Sequence, residues 1–295
     1  MEYAFVFLSI LANTAKGYCT KKISSVISSV QSAICIHTFR NIICCIIAGL
    51  LVAFRQDSTV FSMQWKEFIL LFLSGISMAL FLLSWTFAIK TDAYMLVSAC
   101  SSASFIVPCL VGFFVLNERF TLFKLLSFVE IIIALLFLLR YNLHIKGRLT
   151  FHQLLLLALV LFSQGINQAM QKLYTFYIPE KGASEYTFYS FLFTSLALIM
   201  FRILFHASES DSVQRNIVRN NLGYILIMSL SLFFSSFFQT LAAARIEAII
   251  LYPMINALSL IASSLMASLC FKERMRKECL AGLFFVLCAL ICSKI

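Results

Sequence analysis

The sequence predicts an all-α integral membrane protein with ten transmembrane helices, built as two inverted five-helix repeats. Three observations carry that expectation. First, 61% of the 295 residues are hydrophobic and only 12% are charged, with a mean hydropathy of +0.95. A soluble domain carries about 25% charged residues and about 45–50% apolar ones. A water-soluble fold of this size has no way to hide so much apolar surface, so lipid is the solvent for most of it. Thirty-one Phe residues fit that solvent, because large apolar side chains can face acyl chains. Second, the apolar residues gather in ten runs of helix-spanning length. Third, the chain resembles itself when shifted by 155 residues.

The runs are 3–19, 32–54, 66–89, 93–115, 121–139, 152–176, 186–205, 222–244, 248–270 and 278–293. A helix needs about 20 apolar residues to cross a hydrocarbon core about 30 Å thick. The first run is expected to stay in the membrane and not to be a cleaved leader. Glu2 stands where a leader wants positive charge, and no small-residue cleavage site follows. The fourth run carries Ser98, Ser101, Ser102 and Ser104 ahead of Pro108, and the ninth carries Pro253. Proline removes a backbone donor and allows a bend, while small residues allow close helix approach. Connections are short. The longest polar stretch, HASESDSVQRNIVRNN at 206–221, is expected to be a flexible loop. The ten Cys do not read as a disulfide framework, since most lie inside apolar runs, as Cys44, Cys45, Cys100 and Cys288 do. No Cys/His spacing suggests a metal. The formal charge of +10 reads as loop Lys and Arg set by insertion topology and not as a nucleic-acid footprint.

The internal likeness is ordered along the chain. FAIKTDAY at 87–94 falls on AAARIEAI at 242–249, matching Ala88 to Ala243, Lys90 to Arg245, Asp92 to Glu247 and Ala93 to Ala248. LNERF at 116–120 then falls on FKERM at 271–275, so the pair Glu118-Arg119 recurs as Glu273-Arg274. Leu125 falls on Leu280, and at a shift of 154, Ser9, Asn13 and Ala15 fall on Ser163, Asn167 and Ala169. The chain divides into halves at roughly 1–141 and 149–295. Five helices per half is an odd number, so the second half enters the membrane from the opposite side. Inverted repeats of this kind place a substrate site near the midplane between the halves.

These motifs resemble the drug/metabolite transporter superfamily, EamA-like branch. The features that carry the resemblance are a third helix ending in FAIKTDAY, a Pro-bearing fourth helix, and LNERFTLFKLLS. In that family a Leu/Phe-x-Glu-Arg turn precedes a fifth helix opened by a small residue, and Ser127 and Gly282 stand nine residues after Glu118 and Glu273. The resemblance covers the whole chain in helix count and repeat. It implies two EamA-like repeats and a secondary transporter of the plasma membrane, expected to be a bacterial inner membrane. It does not select a substrate, because the superfamily handles amino acids, sugars, nucleotide sugars and drugs.

Polar side chains within the runs are candidate site residues, because a charge at a helix centre costs about 2.5–3.5 kcal/mol on insertion scales. Asn13 and Lys16 share a face of the first helix. Lys16 either meets a substrate anion or snorkels to the interface. His37 and Arg40 share a face of the second helix, and Arg40 resembles an Arg that many family members carry there. The sixth helix bears a polar stripe, Gln164, Asn167, Gln168 and Gln171, followed by Lys172. Either inter-helix hydrogen bonding or a cavity wall accounts for it. Gln239 on the eighth helix, Tyr252 and Asn256 on the ninth, and Trp85 on the third complete the substrate-binding candidates. Glu130, alone in the fifth helix, is the candidate for proton coupling, although that helix lies toward the periphery in the resembling family.

No HExxH, GxSxG or Gly-rich phosphate loop is present, so an enzyme is not expected, and no catalytic residue, cofactor or metal is called for. Transport would run on a gradient or by exchange, since no ATP-binding segment occurs. The expected partners are a small-molecule substrate and membrane lipid, no nucleic acid, and at most a second copy, as monomer or homodimer. Cavity candidates that are amides, hydroxyls and cations favour a zwitterionic or anionic metabolite. A non-transporting scaffold or sensor and a flippase for lipid-linked substrates stay open. Loops after the odd-numbered helices carry more Lys and Arg, which weakly places both termini outside; orientation stays open.

Overall fold

The computed structural model describes residues 2–27, 29–55, 62–91, 94–119, 121–146, 150–204, 211–271 and 277–292. Within them the chain is helical from end to end, in the order α1 (Glu2–Ser24), α2 (Val30–Arg55), α3 (Trp65–Thr91), α4 (Tyr94–Ser102), α5 (Ile106–Phe114), α6 (Leu122–Lys146), α7 (Phe151–Tyr177), α8 (Ala183–Leu204), α9 (Asp211–Asn220), α10 (Leu222–Ala243), α11 (Ala248–Phe271) and α12 (Lys277–Cys292). Seven of these units are long and apolar enough to cross a membrane: α2, α3, α4 with α5, α7, α8, α10 and α11. The chain is therefore an all-α, multi-pass membrane protein. Shorter apolar stretches, Leu125–Ala134 and Leu280–Ala289, lie in α6 and α12. Large apolar side chains such as Phe7, Ile46, Phe72, Phe162 and Leu230 point outward, as expected where acyl chains are the solvent.

Helices pack in long pairs. α1 lies along α10, α3 along α7, α2 along α8, α4 along α11 and α6 along α12. Glycine sets two of the closest approaches. A Cβ on Gly75 of α3 would sit 2.8 Å from the backbone carbon of Phe193 on α8. One on Gly165 of α7 would sit 2.6 Å from Val107 Cγ2 and 2.7 Å from the carbonyl oxygen of Ser104. Small residues let helix backbones approach closely enough for dispersion to hold them in lipid.

The run expected as one fourth helix is broken. A single 3-10 turn, Ala103–Phe105, separates α4 from α5. Pro108 explains the position: it has no N–H to offer the carbonyl of Ser104, and its ring crowds that turn. Gly165 packs against this break. The opening of α7 is conventional, with Thr150 accepting from the Gln153 amide (3.3 Å) while Gln153 accepts from the Thr150 amide (2.7 Å).

One expectation is corrected. The stretch 206–221 contains α9, a helix over Asp211–Asn220, where a flexible loop was expected; 205–210 lie outside the described residues. Ile217 and Val218 pack against the buried cluster around Ile23, Ile36, Ile225 and Met228. Two adjacent apolar side chains among Ser, Asn and Arg are enough once a tertiary surface is present to receive them.

Candidate central cavity

Six helices line a polar cavity of about 70 Å³. α1 contributes Asn13, Thr14, Lys16, Gly17 and Thr20, and α2 contributes His37 and Arg40. α3 supplies an apolar wall of Phe81, Leu82 and Trp85. α4 adds Tyr94, Ser98, Ser101 and Ser102, α7 adds Gln164, and α11 adds Asn256, Ser259 and Ser263. A smaller cavity of about 30 Å³ adjoins it, sharing Asn13, Lys16 and Gln164 and adding Asn167 and Gln171 of α7 with Ser235, Ser236 and Gln239 of α10.

The electrostatics of this space are one-sided. Lys16 and Arg40 face it, and among the described residues no Asp or Glu lines it. Arg40 is 1% exposed, and its Nε and Nη2 find no hydrogen-bond acceptor among the described residues. Lys16 stands 5.9 Å from the centre of the Phe81 ring, a cation–π contact. His37 Nε2 meets Thr86 Oγ1 at 2.7 Å, while Thr86 donates its only hydroxyl proton to the Leu82 carbonyl at 2.8 Å. Thr86 must therefore accept, so His37 Nε2 carries the proton and Nδ1 is left as an unpaired acceptor. The hydroxyls of Ser98 and Ser259 likewise lack partners.

The α7 stripe divides between the two roles weighed for it. Gln164 lines both cavities. Gln168 is engaged in packing: its Nε2 donates to Asn256 Oδ1 (3.1 Å) and its Oε1 accepts from Ser104 (3.2 Å), which ties α7 to α11 and to the break after α4. Gln171 donates to Thr240 (2.8 Å) and accepts from Tyr252 (3.4 Å). Asn167 accepts from Ser74 (2.9 Å), whose hydroxyl also meets Tyr186 and Ser190. Of the sequence candidates, Asn13, Lys16, Arg40, Trp85, Gln164 and Asn256 surround the larger cavity, and Asn167 and Gln239 the smaller. Gln168 and Tyr252 are buried beside these cavities and line neither. Lys172 also lies elsewhere, donating to the carbonyls of Ala243 (3.0 Å) and Ile246 (2.7 Å) at the end of α10. Glu130 sits between α6 and α12, with Cys292 Sγ 3.8 Å from its Oε1.

Three contacts were not foreseen from sequence. Tyr94, which opens α4, packs edge-on to Trp85 with ring centres 6.1 Å apart; a lone aromatic after a polar turn carries no periodic signal. Glu67 is fully buried and pairs with Lys181 at 2.7 Å, a contact between residues far apart in the chain. The third answers why LNERF interrupts two apolar runs. Asn117 adopts a left-handed φ of 54°, which turns Glu118 toward α11. Its carboxylate accepts from the first amides of α11, Ala248 (2.9 Å) and Ile249 (3.0 Å), with Lys172 Nζ 3.9 Å away. An acid at a helix N-terminus satisfies orphan donors and complements the dipole. The repeat counterpart, Glu273-Arg274, lies outside the described residues.

No family model and no curated protein matches the sequence. A solved structure described only as the crystal structure of a protein is similar over 99% of this chain and 95% of its own, with a TM-score of 0.66 at 14% identity. At that identity the likeness shows the fold alone.

Proposed function

We propose that this protein is a secondary transporter of the EamA-like drug/metabolite type, moving a small anionic or zwitterionic organic metabolite across the plasma membrane by alternating access. The observation that carries the reading is the central cavity: two basic side chains, Lys16 and Arg40, face a space lined by amides, hydroxyls and an apolar wall and, among the described residues, by no carboxylate. A scaffold has no use for an unneutralised polar centre in lipid, whereas a carrier does.

On this reading the fold has ten spans, with α1, α6 and α12 crossing alongside the seven longer apolar units, and two inverted repeats over 1–141 and 149–295. The packing supports it. The pairs α1–α10 and α3–α7 exchange under the repeat, while α2–α8 and α6–α12 map onto themselves. Lys21 of α1 donates to the Ile89 carbonyl at the end of α3, as Lys172 of α7 does to the end of α10. The broken α4–α5 span, lying against the cavity, fits the discontinuous helices of such carriers.

The test is uptake and efflux in proteoliposomes against amino acids, organic acids, sugars, nucleosides and organic cations, with and without a pH gradient. Asn13→Ala and Gln164→Ala are the informative variants, because neither side chain makes a hydrogen bond that holds helices together. The reading expects saturable flux of at least one solute and its loss in both variants. Folded protein that moves no member of the panel would return the chain to the scaffold class.

A further inference from the structure

The cavity narrows the cargo further, within the transporter reading on which this inference rests. A guanidinium stays protonated at any working pH. Among the described residues, Arg40 is nevertheless buried with Nε and Nη2 lacking acceptors, and Lys16 faces the same space with no acid lining it. A buried guanidinium that cannot shed its proton calls for an anion to complete the site, and an anion there would also hold Lys16 as an ammonium. The planar, bidentate fork of Arg40 matches a carboxylate, and Lys16 supplies a point charge for a second one.

Two further observations separate acids from amino acids. An α-ammonium would enter a space that already holds the Arg40 guanidinium and, among the described residues, offers no carboxylate to receive it. The free acceptors there are neutral: the amide oxygens of Asn13 and Gln164, and His37 Nδ1, committed as an acceptor by the bond its Nε2 makes to Thr86. His37 precedes Arg40 by three residues and so shares its face of α2. A hydroxyl on the carbon next to a carboxylate would donate to Nδ1 while the carboxylate sits on Arg40.

We propose that the cavity takes a small 2-hydroxy dicarboxylate, with Arg40 and Lys16 holding the carboxylates and His37 Nδ1 accepting from the hydroxyl.

Malate, succinate and aspartate test this directly, because they share a four-carbon skeleton and differ only in hydroxyl, hydrogen or ammonium at one carbon. Binding to the purified full chain is read by calorimetry and by the ligand-induced rise in melting temperature. Malate should bind saturably, and succinate and aspartate at least about tenfold more weakly, as expected for loss of one good polar contact. His37→Phe should bind malate and succinate equally. Arg40→Gln should abolish the malate-induced shift while leaving the ligand-free melting temperature unchanged or higher, since it removes an uncompensated buried charge; a purely structural Arg would do the opposite. Aspartate binding as well as malate, inorganic phosphate binding in place of all three, no binding at all, or His37→Phe retaining the preference for malate would each overturn the assignment. Flux of amino acids in proteoliposomes would also overturn it while leaving the transporter reading standing. Malate binding without any flux would leave the site chemistry intact and remove the transporter reading.

Discussion

Replacing Glu118 should destabilise the protein from the far side of the sequence. The carboxylate accepts two hydrogen bonds from the N-terminal amides of α11, at 2.9 and 3.0 Å, and lies 3.9 Å from Lys172 Nζ. Bonds to a charged group contribute about 1.5–3 kcal/mol each, but measured caps cluster near about 1 kcal/mol because water partly replaces the lost acceptor. The Glu118 side chain is only 9% exposed, which limits that replacement. Glu118→Ala is therefore expected to cost about 2–3 kcal/mol, and Glu118→Gln, which keeps one acceptor, about half as much. The Lys172 contact is long, and its ammonium already has two carbonyl partners, so capping should dominate. A double-mutant cycle with Lys172→Met should show a coupling below about 1 kcal/mol. Unfolding in mixed micelles, followed by the fluorescence of Trp65 and Trp85, reads these differences. A Glu118→Ala protein as stable as the parent, or a coupling as large as the whole effect, would refute capping as the role of this turn.

Other sites give independent checks. Glu67→Gln leaves Lys181 without its buried partner and should cost about 3 kcal/mol or more in the same unfolding assay, with Lys181→Met largely relieving the loss in the double variant. Gly165→Val forces side-chain atoms into Val107 and the Ser104 carbonyl and should cost about 1–3 kcal/mol, seen as a lowered melting temperature. The proposed ten spans would put both termini on one side of the membrane, so reporters fused to either end should give the same answer; opposite answers would remove the proposed inverted repeat. Glu130 lies off the cavity, so Glu130→Gln should retain flux at fixed pH, and loss of response to a pH gradient in that variant would identify it as the coupling group.

Most elements of this fold were legible in sequence because lipid demands long apolar helices: among the described residues each of the ten runs falls on helix, the fourth on two helices joined by a 3-10 turn. Where a second force acts, reading fails. Pro108 announces a bend, but only the three-dimensional contact with Gly165 shows that α4 ends at Ser102. α9 is invisible to hydropathy, since its packing surface is two residues wide. At the site, helical spacing grouped Asn13 with Lys16 and His37 with Arg40, and all four line the larger cavity. It had no means of telling that Gln164 faces a cavity while Gln168, one turn along the same stripe, is hydrogen-bonded to Asn256. Spacing reports which face of a helix is polar, and the neighbouring helix decides whether that face is dry. Glu118 was conspicuous as a charge between apolar runs, yet its partner is the amide end of a helix 130 residues away.

The most direct test of the central claim is counterflow. Proteoliposomes are preloaded with an excess of each unlabelled panel solute, diluted into a trace of the same solute in labelled form, and followed over time. A carrier that alternates access accumulates label transiently above equilibrium for at least one solute, and that overshoot should vanish in Arg40→Gln. Folded protein that gives no overshoot for any solute, or an overshoot that survives Arg40→Gln unchanged, would contradict transport through this cavity.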